Sequence, residues 1–89
     1  MIEKNILVSN TKGLHARAAT KLAKLAMQFS ATLSIEANGK KADCKSVMSI
    51  LLLAASAGTL VTICADGSDE QAALTAIEAL FADKFEEDN

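Results

Sequence analysis

Gly13-Leu14-His15-Ala16-Arg17 is the stretch of this chain whose residue types could do covalent chemistry, and it holds the only histidine. The histidine stands where a polar loop gives way to a helical pattern. A helix start offers backbone amides without intrahelical partners and a partial positive charge, a ready site for a phosphate group. A phosphoryl group carried on a ring nitrogen of His15 could take hydrogen bonds from the amides of Ala16 and Arg17. The Arg17 guanidinium could neutralise and orient the same oxygens. Dipole interactions of this kind are worth about 0.3–1 kcal/mol each, and about 2 kcal/mol when sheltered. Such weak holding suits a carrier that must release its cargo. The plainer reading is an exposed helix-start histidine beside one of several solvated cations. No second acid, base or nucleophile lies near in sequence, which argues against an independent hydrolase or kinase.

The elements that must position this segment are legible from pattern. Ile2 to Val8 reads as a strand, closed by polar Ser9-Asn10-Thr11-Lys12 and by Gly13. Ala16 to about Phe29 is helical: Ala19, Leu22, Ala23 and Ala26 form a buried stripe, with Arg17, Lys21, Lys24 and Gln28 opposite. Ala31 to Ala37 alternates, and Asn38-Gly39 is a hairpin signal leading into a short strand, Lys40 to Asp43. Ser46 is placed to cap the helix Val47 to Leu53. Gly58 ends the connection to a strand over Leu60 to Ala65, suited to the centre of a sheet, and Asp66-Gly67 turns the chain. Ser68-x-x-Gln71 is a capping box for a last helix with Ala73, Ile77, Leu80 and Phe81 inward. The order β-α-β-β-α-β-α predicts an α+β fold, a four-stranded, mainly antiparallel sheet covered on one face by three helices.

Composition narrows the function. A chain of 89 residues allows one domain, 1–89, and 51% hydrophobic residues suffice for a core. Only Phe29, Phe81 and Phe85 are aromatic, which opposes base-stacking nucleic-acid platforms. The net charge of −2 hides an asymmetry: residues 1–45 hold eight basic against three acidic residues, and residues 46–89 one against eight. A basic half on an acidic protein predicts a local patch for an anionic partner rather than bulk affinity for nucleic acid. Cys44, Cys64 and one histidine are too few for a metal site, and no metal or cofactor is expected. With no signal-peptide pattern and no apolar run near membrane-span length, the chain reads as soluble and cytoplasmic.

Gly13-Leu14-His15-Ala16-Arg17 strongly resembles the active-centre motif of the HPr family, histidine-containing phosphocarriers of the bacterial phosphoenolpyruvate-dependent phosphotransferase system. Lys45-Ser46-Val47-Met48-Ser49-Ile50-Leu51 resembles the family's second-helix segment. Gly58-Thr59-Leu60-Val61-Thr62-Ile63 and Asp66-Gly67-Ser68-Asp69-Glu70 continue the likeness, which covers essentially the whole chain. The resemblance implies an open-faced β-sandwich and a relay. Enzyme I would phosphorylate His15 on Nδ1, Arg17 would help stabilise the phosphate, and a histidine of an enzyme IIA protein or domain would take the group on. That is a carrier's role in a transferase relay rather than a stand-alone catalyst's. The sequence departs from many members at Ala18, where proline is common. Proline in a first helical turn presets φ, so alanine loosens the helix start slightly.

Partner docking and regulation centre on the second helix. With Ile50 and Leu53 inward, Val47, Met48, Leu51 and Leu52 cannot all be buried in so small a domain. An apolar patch beside a reactive histidine would serve as a docking face. Arg17, Lys21, Lys24 and Lys45 could rim it and steer acidic partners. The plainer readings are core residues and a solvated helix face. Ser46 has a sufficient structural role as a cap. The resemblance adds a regulatory one, as the target of a serine kinase in some bacteria, with about −1.5 to −2 charges introduced by phosphorylation. The family has sugar-uptake and nitrogen-related branches, and the apolar second helix and the ending Phe85-Glu86-Glu87-Asp88 are somewhat similar to the latter. A carrier that frees one face for successive partners is expected to be a monomer with no nucleic-acid partner and no membrane insertion. The competing class is a regulatory binding module that uses the second helix and Ser46 without relaying phosphate. A pure adaptor, however, needs neither His15 nor Arg17.

Overall fold

The computed structural model describes residues 1–86; Glu87 and Asp88 of the acidic ending lie outside them. Alternating side chains build four strands: β1 (Ile2–Leu7), β2 (Thr32–Ala37), β3 (Lys40–Asp43) and β4 (Leu60–Asp66). All neighbours pair antiparallel in the order β1-β4-β2-β3, with Ile2 opposite Ala65 and Leu7 opposite Leu60 at the ends of the β1–β4 pair. The β-branched strand β4 is central, as its composition predicts. Val61, Ile63 and Ala65 of β4 and Leu33, Ile35 and Ala37 of β2 are buried on one face, while Thr62, Ser34 and Glu36 lie on the other.

The helices α1 (Ala16–Ala26), α2 (Val47–Leu52) and α3 (Glu70–Ala82) cover the apolar face. Of these, α3 packs on β1 and β4, and α1 packs between α2 and α3. The predicted stripe of α1 is fully buried, and Ala18 joins it. On α3, Ala73, Ile77 and Phe81 are buried as expected, Leu74 with them, and Leu80 is half-buried. A 3-10 turn, Lys84–Glu86, returns Phe85 to the core, its ring edge-on to Phe81 with centroids 4.8 Å apart.

Two helix ends differ from the pattern reading. The first helix stops at Ala26 rather than near Phe29, because Gln28 and Phe29 donate to Leu25 and Ala26, three residues back. At the start of α3, Ser68 is not the cap; Asp69 occupies that position, without a side-chain bond to its own helix. Its carboxylate instead accepts from the amides of Ser30 and Ala31, both at 2.8 Å, at the entry to β2. Glu70 completes the corner by accepting from the Gly67 amide at 3.1 Å. A tertiary partner has displaced the local motif.

This clasp predicts a pH dependence. The hydrogen bond from the Ser30 amide, aided by that of Ala31, holds the Asp69 carboxyl below its ordinary value of 3.8. A lowered folded-state value means the contribution is fully present above 3.8 and is lost as pH falls through the lower folded value. We expect Asp69→Ala to melt at a lower temperature than the parent at neutral pH. The gap should narrow in acid below 3.8, as thermal melts across that range would show.

Candidate functional site

Chain geometry before α1 is set by a closed turn. The Gly13 amide donates to the Asn10 carbonyl at 3.1 Å, and the Asn10 side-chain amide donates to the Gly13 carbonyl at 2.7 Å. Gly13 adopts φ +67° and lies so close to the segment after α2 that a Cβ would stand 2.6 Å from the Ala55 carbonyl oxygen. The Leu14 amide donates to that same oxygen at 2.8 Å. Sequence reading treated Asn10 as one of several polar loop residues. Its full burial depends on how the loop folds back, which no local pattern announces.

His15 is the N-cap of α1, half-buried, with an extended backbone (φ −81°, ψ −178°). Its Nδ1 accepts from the Arg17 amide at 3.3 Å, so a lone pair on that nitrogen faces the first turn. Its carbonyl accepts from Ala19, at 2.8 Å, as the first bond of the helical ladder. The Ala18 amide precedes that ladder, so a proline at this position would forfeit no helical bond. The result is a surface site, an imidazole nitrogen and two first-turn amides at the end of a helix, with Ala16 and Arg17 exposed beside it.

The second helix lies against α1. Ser46 caps it, with Oγ accepting from the Ser49 amide at 3.3 Å. Ile50 and Leu53 are buried, Val47 and Leu51 half-buried, and Met48 and Leu52 stand 69% and 68% exposed. A short helix with one turn inward cannot hide that many apolar side chains. The four predicted cations part company. Arg17 and Lys24 are exposed. Lys21 donates to the Phe85 carbonyl at 2.7 Å and Lys45 to that of Phe29 at 3.0 Å, so Lys21 ties down the C-terminal turn and Lys45 the connection between α1 and β2.

Neither cysteine is a candidate nucleophile. Burial pushes the Cys44 thiol up to about 12. Cys64 lies on the outer sheet face, its thiol raised by burial and by its 3.3 Å hydrogen bond to the Glu3 carboxylate. Among the described residues no helix is long and apolar enough to cross a membrane.

Known proteins decide the family. The family described as the PTS HPr component phosphorylation site matches residues 2–83. The chain belongs to the HPr family. HPr of Xylella fastidiosa (strain 9a5c) is 40% identical over 88 residues, covering 99% of each chain. The phosphocarrier protein NPr of Shewanella violacea is 45% identical over 86 residues, 97% of this chain and 94% of the relative. The crystal structure of HPr-C-His from Thermoanaerobacter tengcongensis superposes with a TM-score of 0.95 at 38% identity, covering 100% of both chains. The open-faced HPr sandwich anticipated from the motifs is thus the fold, with all strand pairs antiparallel. As an HPr-family member the chain is a phosphocarrier of the phosphotransferase system.

Proposed function

We propose that Nδ1 of His15 accepts the phosphoryl group from phosphorylated enzyme I and passes it to a histidine of an enzyme IIA protein or domain, in sugar uptake or its nitrogen-related branch. The observation that carries this reading is the ring placement: Nδ1 already faces the Arg17 amide at the helix start. In the uptake step the Nδ1 lone pair attacks phosphorus while the phosphorus–nitrogen bond to the donor histidine breaks. The released pair returns to the donor ring. Once phosphorylated, Nδ1 has no lone pair for the Arg17 amide, which turns with that of Ala16 to the phosphoryl oxygens. The exposed Arg17 guanidinium closes over them.

Both partners dock on the face formed by Val47, Met48, Leu51 and Leu52, with Arg17 and Lys24 as its basic margin. Exposure of Met48 and Leu52 on the helix packed against α1 supports this. Lys21 holds α1 to the C-terminal turn beside that margin. One face serves donor and acceptor in turn, which favours a monomer.

The test is phosphorus NMR after mixing the protein with enzyme I, magnesium and phosphoenolpyruvate. An alkali-stable, acid-labile phosphohistidine signal is expected. Its absence, with a cognate enzyme I active on another carrier, would overturn the relay and leave a binding module acting through α2.

Ser46 separates stability from regulation. Ser46→Ala removes the cap and should cost about 1 kcal/mol, a fall of about 4–8 °C in Tm. Ser46→Asp keeps a capping oxygen but sets a negative charge beside Met48, as phosphorylation by a serine kinase would. Its Tm should stay near the parent's while phosphoryl uptake slows. Melting curves with initial rates for both variants check the pair; parental uptake by Ser46→Asp would remove the regulatory reading.

A further inference from the structure

Asn10 is the one fully buried polar residue of the described core, with 0% of its surface exposed. A buried amide costs free energy unless it is bonded, so its partner indicates what it is for. Its side-chain amide donates to the Gly13 carbonyl, at 2.7 Å. The same carbonyl accepts from the His15 amide at 3.0 Å. Gly13 is thus held at both of its backbone polar groups, its N–H by the Asn10 carbonyl and its C=O by the Asn10 side chain. Leu14, bonded to the Ala55 carbonyl, then leads the chain into the N-cap whose ring faces the Arg17 amide.

We propose that Asn10 is a positioning residue for phosphoryl transfer, holding His15 in its acceptor orientation through the Gly13 carbonyl. The proposal rests on His15 being the phosphoryl acceptor. The turn is already closed by the backbone bond from Gly13 to Asn10, and the loop is seated by Leu14 on Ala55. The side-chain bond adds a restraint on the one carbonyl that orients the His15 peptide. Removing it leaves the chain path intact but holds that peptide unit only through its Leu14 N–H and the His15 amide, so the carbonyl is less firmly aimed at His15. The consequence reaches the ring because His15 is a cap, whose side chain and amide act at the same helix end. A reacting atom displaced by a fraction of an ångström loses rate well before affinity, since the docking face lies elsewhere.

The test is Asn10→Leu, which preserves length and branching but has no donor. In transfer assays from phosphorylated enzyme I we expect kcat to fall about 10–100-fold, with KM for the carrier unchanged. In the unphosphorylated variant the Arg17 amide proton and the His15 Nδ1 signals should shift as their hydrogen bond lengthens. A folded variant with the parental kcat and parental Arg17 and His15 signals would overturn the proposal. If Asn10→Leu does not fold, the parent protein supplies the answer. The Asn10 side-chain amide signals should move on phosphorylation of His15 by more than those of Asn5 and Asn38. Equal or smaller movement would overturn the proposal. Failure of the acceptor reading is distinguishable, because it would show as no phosphohistidine in the parent.

Discussion

His15→Ala should take up no phosphoryl group from enzyme I and should also melt below the parent. The first effect follows from chemistry: neither cysteine is a usable nucleophile, with Cys44 buried and its thiol pushed up to about 12, and alanine has no lone pair to offer. The second follows from the cap. The ring accepts from the Arg17 amide, a long bond at 3.3 Å, and losing an N-cap costs about 0.5–2 kcal/mol, the long bond placing this one near about 0.5–1 kcal/mol. For a domain of this size that is about 2–8 °C in Tm. His15→Asn separates the two consequences. Asparagine is among the best capping residues, so Tm should return to the parental value or above it, while phosphoryl uptake stays absent. Phosphorus NMR and melting curves on both variants decide. Phosphoryl uptake surviving in both variants would place the acceptor on a residue other than His15, and uptake lost in alanine but restored by asparagine would reduce His15 to a structural cap.

The double duty of His15 also shows how far the sequence could be read. A lone histidine before an amphipathic stretch announces a helix start, and the motif around it resembles one family closely. Periodicity, turn signals and residue type along the rest of the chain were enough for element order, the inward face of α1, the centrality of β4 and the cap at Ser46, because each is written in residues close together in sequence. What escaped depends on residues far apart in sequence. Asp69 leaves its own helix for the amides of Ser30 and Ala31, 39 and 38 positions away, so a sound local capping box at Ser68 lost to a tertiary demand. Lys21 and Lys45 read as part of a basic rim for partners, yet they bind backbone carbonyls, Lys21 that of Phe85 and Lys45 that of Phe29 between α1 and β2. Asn10 read as one of four polar loop residues because burial of a loop residue is decided by what the loop folds against. Charge asymmetry between the halves was real as arithmetic, but the sheet order interleaves them: β1 of the basic half pairs with β4 of the acidic half, and β4 with β2. The basic character that survives at the site is therefore local to α1, in Arg17 and Lys24.

Gly13→Ala should be the most damaging glycine substitution near the site, and Gly39→Ala its control. Both residues have positive φ, +67° and +76°, so either alanine meets the left-handed penalty of about 1–2 kcal/mol. Only at Gly13 does a Cβ also meet backbone, 2.6 Å from the Ala55 oxygen and 2.7 Å from Ser56 Cα; at Gly39 nothing lies within 4 Å. Neither obstacle is a flexible side-chain end, so the loop must lift off the segment after α2. Lifting it strains the bond from Leu14 to Ala55 and the grip of Asn10 on the Gly13 peptide. Adding backbone displacement to the φ penalty brings the expected loss to about 3 kcal/mol or more, a fall in Tm of about 12 °C or more. Gly39→Ala should lose only the φ penalty of about 1–2 kcal/mol. Function should separate the pair further. His15 rides on the lifted loop, so phosphoryl uptake by Gly13→Ala should drop by about 100-fold even well below its Tm, whereas Gly39→Ala, in the hairpin between β2 and β3 with open space around its Cβ, should transfer at the parental rate. Equal losses of Tm in the two variants would mean that the approach to Ala55 carries no weight. A Gly13→Ala protein with parental transfer would mean that the ring finds its orientation without the loop beneath it.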